Sequence, residues 1–333
     1  MADRNPVILY SVPPPSAASN PYTTMLAEGV SASAPVRFFS WRAALTGGHD
    51  VLHVHWPETM VRHTNPVKAL LRGLAGHAYL TLARRRGIAI VRTVHNRSPH
   101  EDGGLLERAF LSRLDKMTTA HIFLSDSGAP RDAIVIPHGH YRDWEPYRVG
   151  RVRKRPQLLM FGALRRYKGV ESAIAAFRQV PASIGLELRI AGQPSSQQYL
   201  AEIADLAKGD ARIRIDPRRV PDRELAALVA ASAAVVLPYK NFYNSGAALL
   251  ALSLGSHIIV PASESALRLA DEFGPDWVTT YEGPLSSEVM IRGASEGANG
   301  DGRLPDMAAR DWATGAAAHV ELYRSVVAKK TSH

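Results

Sequence analysis

Twelve short apolar runs, spaced by stretches of helical periodicity, constrain this chain more than any other feature. In the first half they are VILYS (7–11), VRFF (36–39), VLHVH (51–55), IAIVRTV (88–94), HIFL (121–124) and AIVI (133–136), with helix patterns near 21–30, 66–86 and 104–117. In the second half they are QLLMF (157–161), LELRIA (186–191), ARIRI (211–215), AAVVL (233–237), HIIV (257–260) and WVTT (277–280). Helices fit there near 169–179, 196–207, 221–231, 246–254 and 264–272. Strand-then-helix alternation, run through twice, predicts an α/β chain of two doubly wound parallel sheets. The length of 333 residues and 46% apolar content are enough to bury two such cores. The basic stretch YRVGRVRKRPQ (147–157) reads as the linker, EGANGDGRLPD (296–306) as a loop, and a last helix is expected near 306–328 with Trp312, Val320, Leu322 and Tyr323.

The net charge of +9 points to an anionic partner: phosphate groups, nucleic acid or an acidic membrane surface. With no cysteine, a disulfide framework and thiolate metal sites are excluded, which fits a reducing cytoplasm. The opening MADRNPVILYSV runs straight into a strand and is not read as a signal peptide, and no apolar run is long enough to span a bilayer.

In open α/β sheets, ligands bind beyond the carboxyl ends of the strands. Two loops of the second half fit an anion there. NSGAALLALSLGS (244–256) starts a helix on Asn244, Ser245 and Gly246, where unpaired N–H groups and the positive end of the helix dipole face outward. A plain N-cap accounts for the same residues. FGALRRYKG (161–169) crowds Arg165, Arg166 and Lys168 between two glycines; basic groups there stabilise a leaving diphosphate as its charge grows. Taken alone it would be a solvated basic loop.

HVHWPE (53–58), HNRSPHED (95–102), HGHYRDW (138–144), YKGVE (167–171) and YKNFYNSGAALLALSLG (239–255) together resemble the β-mannosyltransferases of xanthan-type exopolysaccharide assembly, within the GT-B glycosyltransferases. The resemblance runs over nearly the whole chain. It implies two facing Rossmann-like domains with a cleft between them: 1–146 for the acceptor, 147–305 for the nucleotide sugar, and a helical segment 306–333 crossing back to the first domain. It implies transfer of mannose from GDP-mannose to a polyprenyl-diphosphate-linked oligosaccharide, forming a β bond. The donor diphosphate falls to Arg165, Lys168, Asn244, Ser245 and Gly246, with Tyr239, His138, His140 and Arg142 bordering the cleft. The usual retaining GT-B pattern carries two glutamates around this helix start. Here the matching positions fall near Phe242 and Leu250, which argues against retention of that type and for an inverting reaction with a base on the acceptor side.

That base is sought in the first domain. His53 and His55 share a strand face, with Glu58 beyond; the next strand end brings His95, His100, Glu101 and Asp102. Glu58 and Glu101 are the first candidates, His95 and Asp102 the next, an imidazole being suited to proton transfer near neutrality. Some of these histidines are expected only to satisfy backbone groups. A His53–His55–His95 zinc cluster is an alternative, but no metal is expected: the chain has no Asp-x-Asp, and Lys, Arg and N–H groups can neutralise the diphosphate. For IPHGHYRDW (136–144) a packed hinge loop is an equal reading. NPVKALLRGLAGHAYLTLARRRG (65–87) is apolar with a basic edge and is read either as a helix covering the sheet or as a contact with an anionic membrane. The enzyme is therefore expected in the cytoplasm, peripheral to the inner face of the cell membrane. A retaining transferase, an epimerase on a nucleotide sugar, and a non-enzymatic nucleic-acid or lipid binder are the competing readings; no nucleic-acid motif is present, and no nucleic-acid partner is expected.

Overall fold

A computed structural model describes residues 4–16, 19–95, 103–150, 152–299 and 303–331. All twelve apolar runs form strands: β1 (Ile8–Tyr10), β2 (Val36–Phe38), β3 (Val51–Val54), β4 (Ala89–Val94), β5 (Ala120–Phe123), β6 (Ile134–Val135), β7 (Arg155–Phe161), β8 (Glu187–Ala191), β9 (Ile213–Asp216), β10 (Ser232–Val236), β11 (His257–Pro261) and β12 (Val278–Tyr281). The helices are α1 (Pro21–Ser31), α2 (Trp41–Thr46), α3 (Glu58–Val61), α4 (Pro66–Arg85), α5 (Leu105–Met117), α6 (Val170–Phe177), α7 (Gln197–Ala207), α8 (Asp222–Ala231), α9 (Gly246–Ser253), α10 (Glu264–Phe273), α11 (Ser287–Ala298) and α12 (Trp312–Thr331). The chain forms two compact units, residues 1–139 with 309–333, and residues 140–308. It leaves the first unit ahead of the expected boundary at 146. Tyr147, in the presumed linker, is buried in the second unit against Tyr141, ring centres 5.9 Å apart.

The first unit holds a parallel sheet in the order β2-β1-β3-β4-β5-β6. Alternation along each strand sorts the residues to two layers. Leu9, Leu52, Val54 and Ile90 pack with Tyr79 and Leu80 of α4 and Phe110 and Leu114 of α5. Ile8, Tyr10, Val51 and Val91 pack with Tyr22 and Leu26 of α1 and Val320 and Tyr323 of α12.

Helix α4 is inverted relative to an ordinary sheet-covering helix. Its buried face is Gly73, Gly76, Tyr79, Leu80 and Ala83, the two glycines admitting Leu106 and Phe110 of α5 closely. Val67, Leu70, Leu71 and Leu74, at one helical spacing, point outward with between 54% and 63% of their surface exposed. Among the described residues no helix is long and apolar enough to cross a membrane.

The second unit's parallel sheet runs β12-β11-β10-β7-β8-β9, which is the 3-2-1-4-5-6 order of the Rossmann fold read from its own first strand. Its core joins Leu158, Met160, Leu188, Ile190 and Val236 to α6, α7 and α11. The sequence gives no sign of α11, whose end was read as part of a loop. Its Gly293 and Gly297 look like breakers, yet a β-carbon at either would strike Ile259 or the Ala233 carbonyl. Glycine here lets the helix lie against β10 and β11, and tertiary packing outweighs its poor helix propensity.

Candidate active site

The crossovers from β7 and from β10 leave the second sheet in opposite directions, so the carboxyl ends of these neighbours form the switch point where an open α/β sheet takes its ligand. Both expected phosphate loops start there. The Lys240 N–H donates to the Tyr167 carbonyl at 2.9 Å, joining them directly. Gly169 has φ +69° and lies so close to the Pro238 carbonyl that a side chain would not fit. This fixes the basic turn beside the strand that leads into α9.

The three cations of that turn have different surroundings. Arg166 is neutralised by Glu202 and by Glu171 at 3.5 Å, and lies over the Tyr199 ring. Arg165 is exposed and makes no ion pair with any described residue. The Lys168 ammonium sits 5.5 Å from the centre of the buried Tyr239 ring. Burial, with Arg165 nearby, lowers its pKa to about 8. Two positive groups therefore converge at the switch point without an ion pair to a carboxylate of any described residue.

At the start of α9, Ser245 is the N-cap, its Oγ accepting the Ala248 N–H at 3.2 Å; the same hydroxyl keeps its proton to donate. Asn244 has φ +31°, an unusual value for a residue other than glycine, and its side-chain amide nitrogen is buried with no protein partner. The Tyr141 hydroxyl lies beside Gly246, 3.2 Å from where a β-carbon would stand. Phe242 and Leu250, near which the retaining pattern is expected to place its glutamates, are 5% and 4% exposed and belong to the apolar interior.

In the first unit, β3 and β4 carry His53, His55 and His95 toward α1 and α12. His53 is saturated: Nε2 meets the Thr93 hydroxyl at 2.7 Å, Nδ1 meets the Tyr323 hydroxyl at 2.6 Å, and Tyr323 in turn meets Tyr10 at 3.2 Å. It cannot also ligate zinc, and the three-histidine cluster is set aside for that reason. His55 Nδ1 and His95 Nε2 are 3.1 Å apart, and His95 stacks on Trp56 at 4.3 Å. Burial drives His95 down to about 3, His138 and His319 to about 4, and His53 and His55 well below the usual value. The near-neutral tuning expected of His95 is thus not what its surroundings provide. Glu58 opens α3 just beyond β3, partly exposed. Glu101, Asp102 and His100 lie outside the described residues. His138 keeps its Nδ1 against the Gly139 carbonyl at 2.7 Å, and His140 stands 3.9 Å from Asp143. Arg142 donates to the Ser253 and Pro305 carbonyls, at the carboxyl end of α9 rather than its amino end. Sequence reading places Tyr323 only in the last helix and Tyr141 only in the 136–144 segment, and it gives no role to His319, one helical turn from Tyr323 in α12.

Two Rossmann-like units of six parallel strands each, together with the likenesses below, define a GT-B glycosyltransferase. Residues 145–265 match the family model "Glycosyl transferases group 1". The chain is 37% identical over 330 residues to the GDP-mannose:glycolipid 4-beta-D-mannosyltransferase of Xanthomonas campestris pv. campestris, covering 97% of this chain and 93% of that protein. Among solved structures, the glycosyltransferase AviGT4 of avilamycin A biosynthesis aligns with TM-score 0.61 at 17% identity, over 97% of this chain and 98% of its own. Sucrose-phosphate synthase from Thermosynechococcus elongatus aligns at 0.66 and 16%, over 98% and 100%. These two likenesses speak to the fold. The chain belongs to the group 1 glycosyltransferases.

Two outcomes follow from the site. The lowered histidines bind fewer protons folded than unfolded between their folded values of about 3 to 4 and the unfolded 6.5. Stability is therefore full above 6.5 and is lost as pH falls through that window. The thermal midpoint should drop by about 5 °C or more between about pH 7 and pH 5; a flat profile contradicts the buried neutral cluster. Lys168→Ala should lower turnover about 100-fold with an unchanged circular dichroism spectrum, whereas full activity would make the turn a mere surface loop.

Proposed function

We propose that the enzyme transfers mannose from GDP-mannose to a polyprenyl-diphosphate-linked oligosaccharide in exopolysaccharide assembly, with inversion to a β bond. The observation that carries this reading is the similarity to a GDP-mannose:glycolipid 4-beta-D-mannosyltransferase across 97% of the chain, which takes in both units. In the reaction an acceptor hydroxyl oxygen attacks C1 of mannose on the face opposite GDP. The bond from C1 to the β-phosphate oxygen breaks, GDP leaves with that electron pair, and a first-unit carboxylate takes the hydroxyl proton. Glu58, Glu101 and Asp102 are the candidates for that base, and Glu58 is the one among the described residues. Arg165, Lys168 and the first N–H groups of α9 meet the charge that grows on the diphosphate. These groups supply the counter-charge that a divalent cation supplies in other sugar-nucleotide sites, so the reaction needs no metal. Phe242 and Leu250 support inversion, since apolar side chains there cannot serve as the paired glutamates of the retaining pattern.

The lipid-linked acceptor calls for a membrane-bound enzyme, and we place it on the cytoplasmic face, peripheral to the bilayer. Support comes from α4, whose Val67, Leu70, Leu71 and Leu74 are exposed beside Lys68, with Arg84 and Arg85 exposed at its end. Apolar side chains that enter the acyl boundary beneath lysine and arginine fit an anionic lipid surface.

Incubation of the protein with labelled GDP-mannose and a lipid-linked oligosaccharide extract should give a β-mannosyl product and GDP in equal amounts; an α product contradicts inversion. In vesicle sedimentation, the protein should prefer phosphatidylglycerol over phosphatidylcholine. The Leu71→Glu, Leu74→Glu variant should bind about tenfold less, and undiminished binding would remove α4 from the contact.

A further inference from the structure

A second basic site lies in the nucleotide-binding unit, at the opposite end of α9 from Ser245. It is a cavity of about 390 Å³, within the size range of small-molecule pockets. Four cations line it, Arg142, Arg148, Lys154 and Arg303, together with apolar walls that include Tyr147 and Leu254. Among the described residues that line it none is acidic. The nearby carboxylates are outside it: Asp276, 3.7 Å from Arg303, is largely exposed, and Asp143 and Asp306 near Arg142 are exposed as well.

Lys154 is the most telling member. It is partly buried, yet its ammonium donates only to the Ser232 carbonyl at 3.1 Å and to Ser256 Oγ at 3.3 Å. Two acceptors leave one of its three N–H groups over, and no carboxylate of a described residue offsets the charge. A cation withdrawn from water without a counter-ion is costly, and burial accordingly lowers its pKa to about 8. Arg148 is exposed and makes no ion pair with a described residue. Arg142 covers the Ser253 carbonyl and so offsets the negative end of α9 that faces the cavity.

We propose that this cavity binds a small soluble phosphate ester with a compact apolar group, the phosphate against Lys154, Arg148 and Arg303 and the apolar part against Tyr147 and Leu254. The occupant reaches the donor site through one short segment. Arg142 lines the cavity, and its neighbour Tyr141 is anchored by its N–H to Ser253 Oγ at 2.9 Å while its hydroxyl lies beside Gly246. Tyr141 thus spans α9 from its last residue to its first, and the ligand acts as an effector of diphosphate affinity. This coupling, unlike the binding itself, rests on the donor reading above.

Phenyl phosphate is the probe. Calorimetric titration into the full chain saturated with GDP should show one further site. Arg148→Ala, which removes an exposed side chain, and Lys154→Met should each weaken it about tenfold while GDP affinity is retained. Saturating phenyl phosphate should shift GDP affinity at least about twofold. Equal probe binding in wild type and Arg148→Ala, no heat at all, or capture by phosphatidic acid vesicles without phenyl phosphate binding would each overturn the site. An unchanged GDP affinity would overturn the coupling. If GDP itself fails to bind, the donor reading falls, while loss of phenyl phosphate binding in Arg148→Ala still upholds the cavity.

Discussion

A diphosphate cannot leave a sugar carbon in a partly dry site unless positive charge is already in place to receive it. In the proposed reaction that requirement falls on the second unit. The reversal of strand order at β7 and β10 opens a gap in the sheet's crossovers, and the turn after β7 puts Arg165 and Lys168 there. Arg166, one residue from Arg165, is tied to Glu202 and Glu171 and holds the turn in place. The division of labour is electrostatic: one cation is spent on structure, and two remain for a ligand. Burial of Lys168 and the charge of Arg165 both disfavour the ammonium, surroundings that an anion would improve.

Helix α9 answers the same requirement from the other side. Its apolar body packs against β11, while its N-cap Ser245 and first residue Gly246 are small enough to let a phosphate approach the backbone in the proposed reading. Helix α9 itself carries no carboxylate, and Phe242 ahead of it and Leu250 within it are packed inward. In the proposed reaction, proton removal then falls to the first unit. There the buried histidines form a neutral scaffold, His53 being held from both nitrogens, and an acidic side chain is better suited to the base than an imidazole pushed down to about 3.

The strands were legible because central strands covered on both faces, such as β10 and β11, read as apolar runs, while strands such as β8 and β9 keep apolar residues in alternation with Glu187, Arg189 and Arg214. Helix α11 was not, because Gly293 and Gly297 signal flexibility to a local reading and close packing only to a tertiary one. For α4 the apolar content was visible but its direction was not: which face turns inward depends on Leu106 and Phe110 of α5 finding room at two glycines. At the donor site, the basic turn and the small-residue helix start were plain in sequence. The contribution of Tyr141 was hidden, since it depends on a contact between residues more than 100 positions apart.

The most direct measurement is a crystal structure of the protein with GDP. The β-phosphate should lie within hydrogen-bonding distance of the Lys168 ammonium and the N–H of Gly246, with Arg165 turned toward it. A diphosphate bound away from both the basic turn and the first residues of α9 would contradict the account.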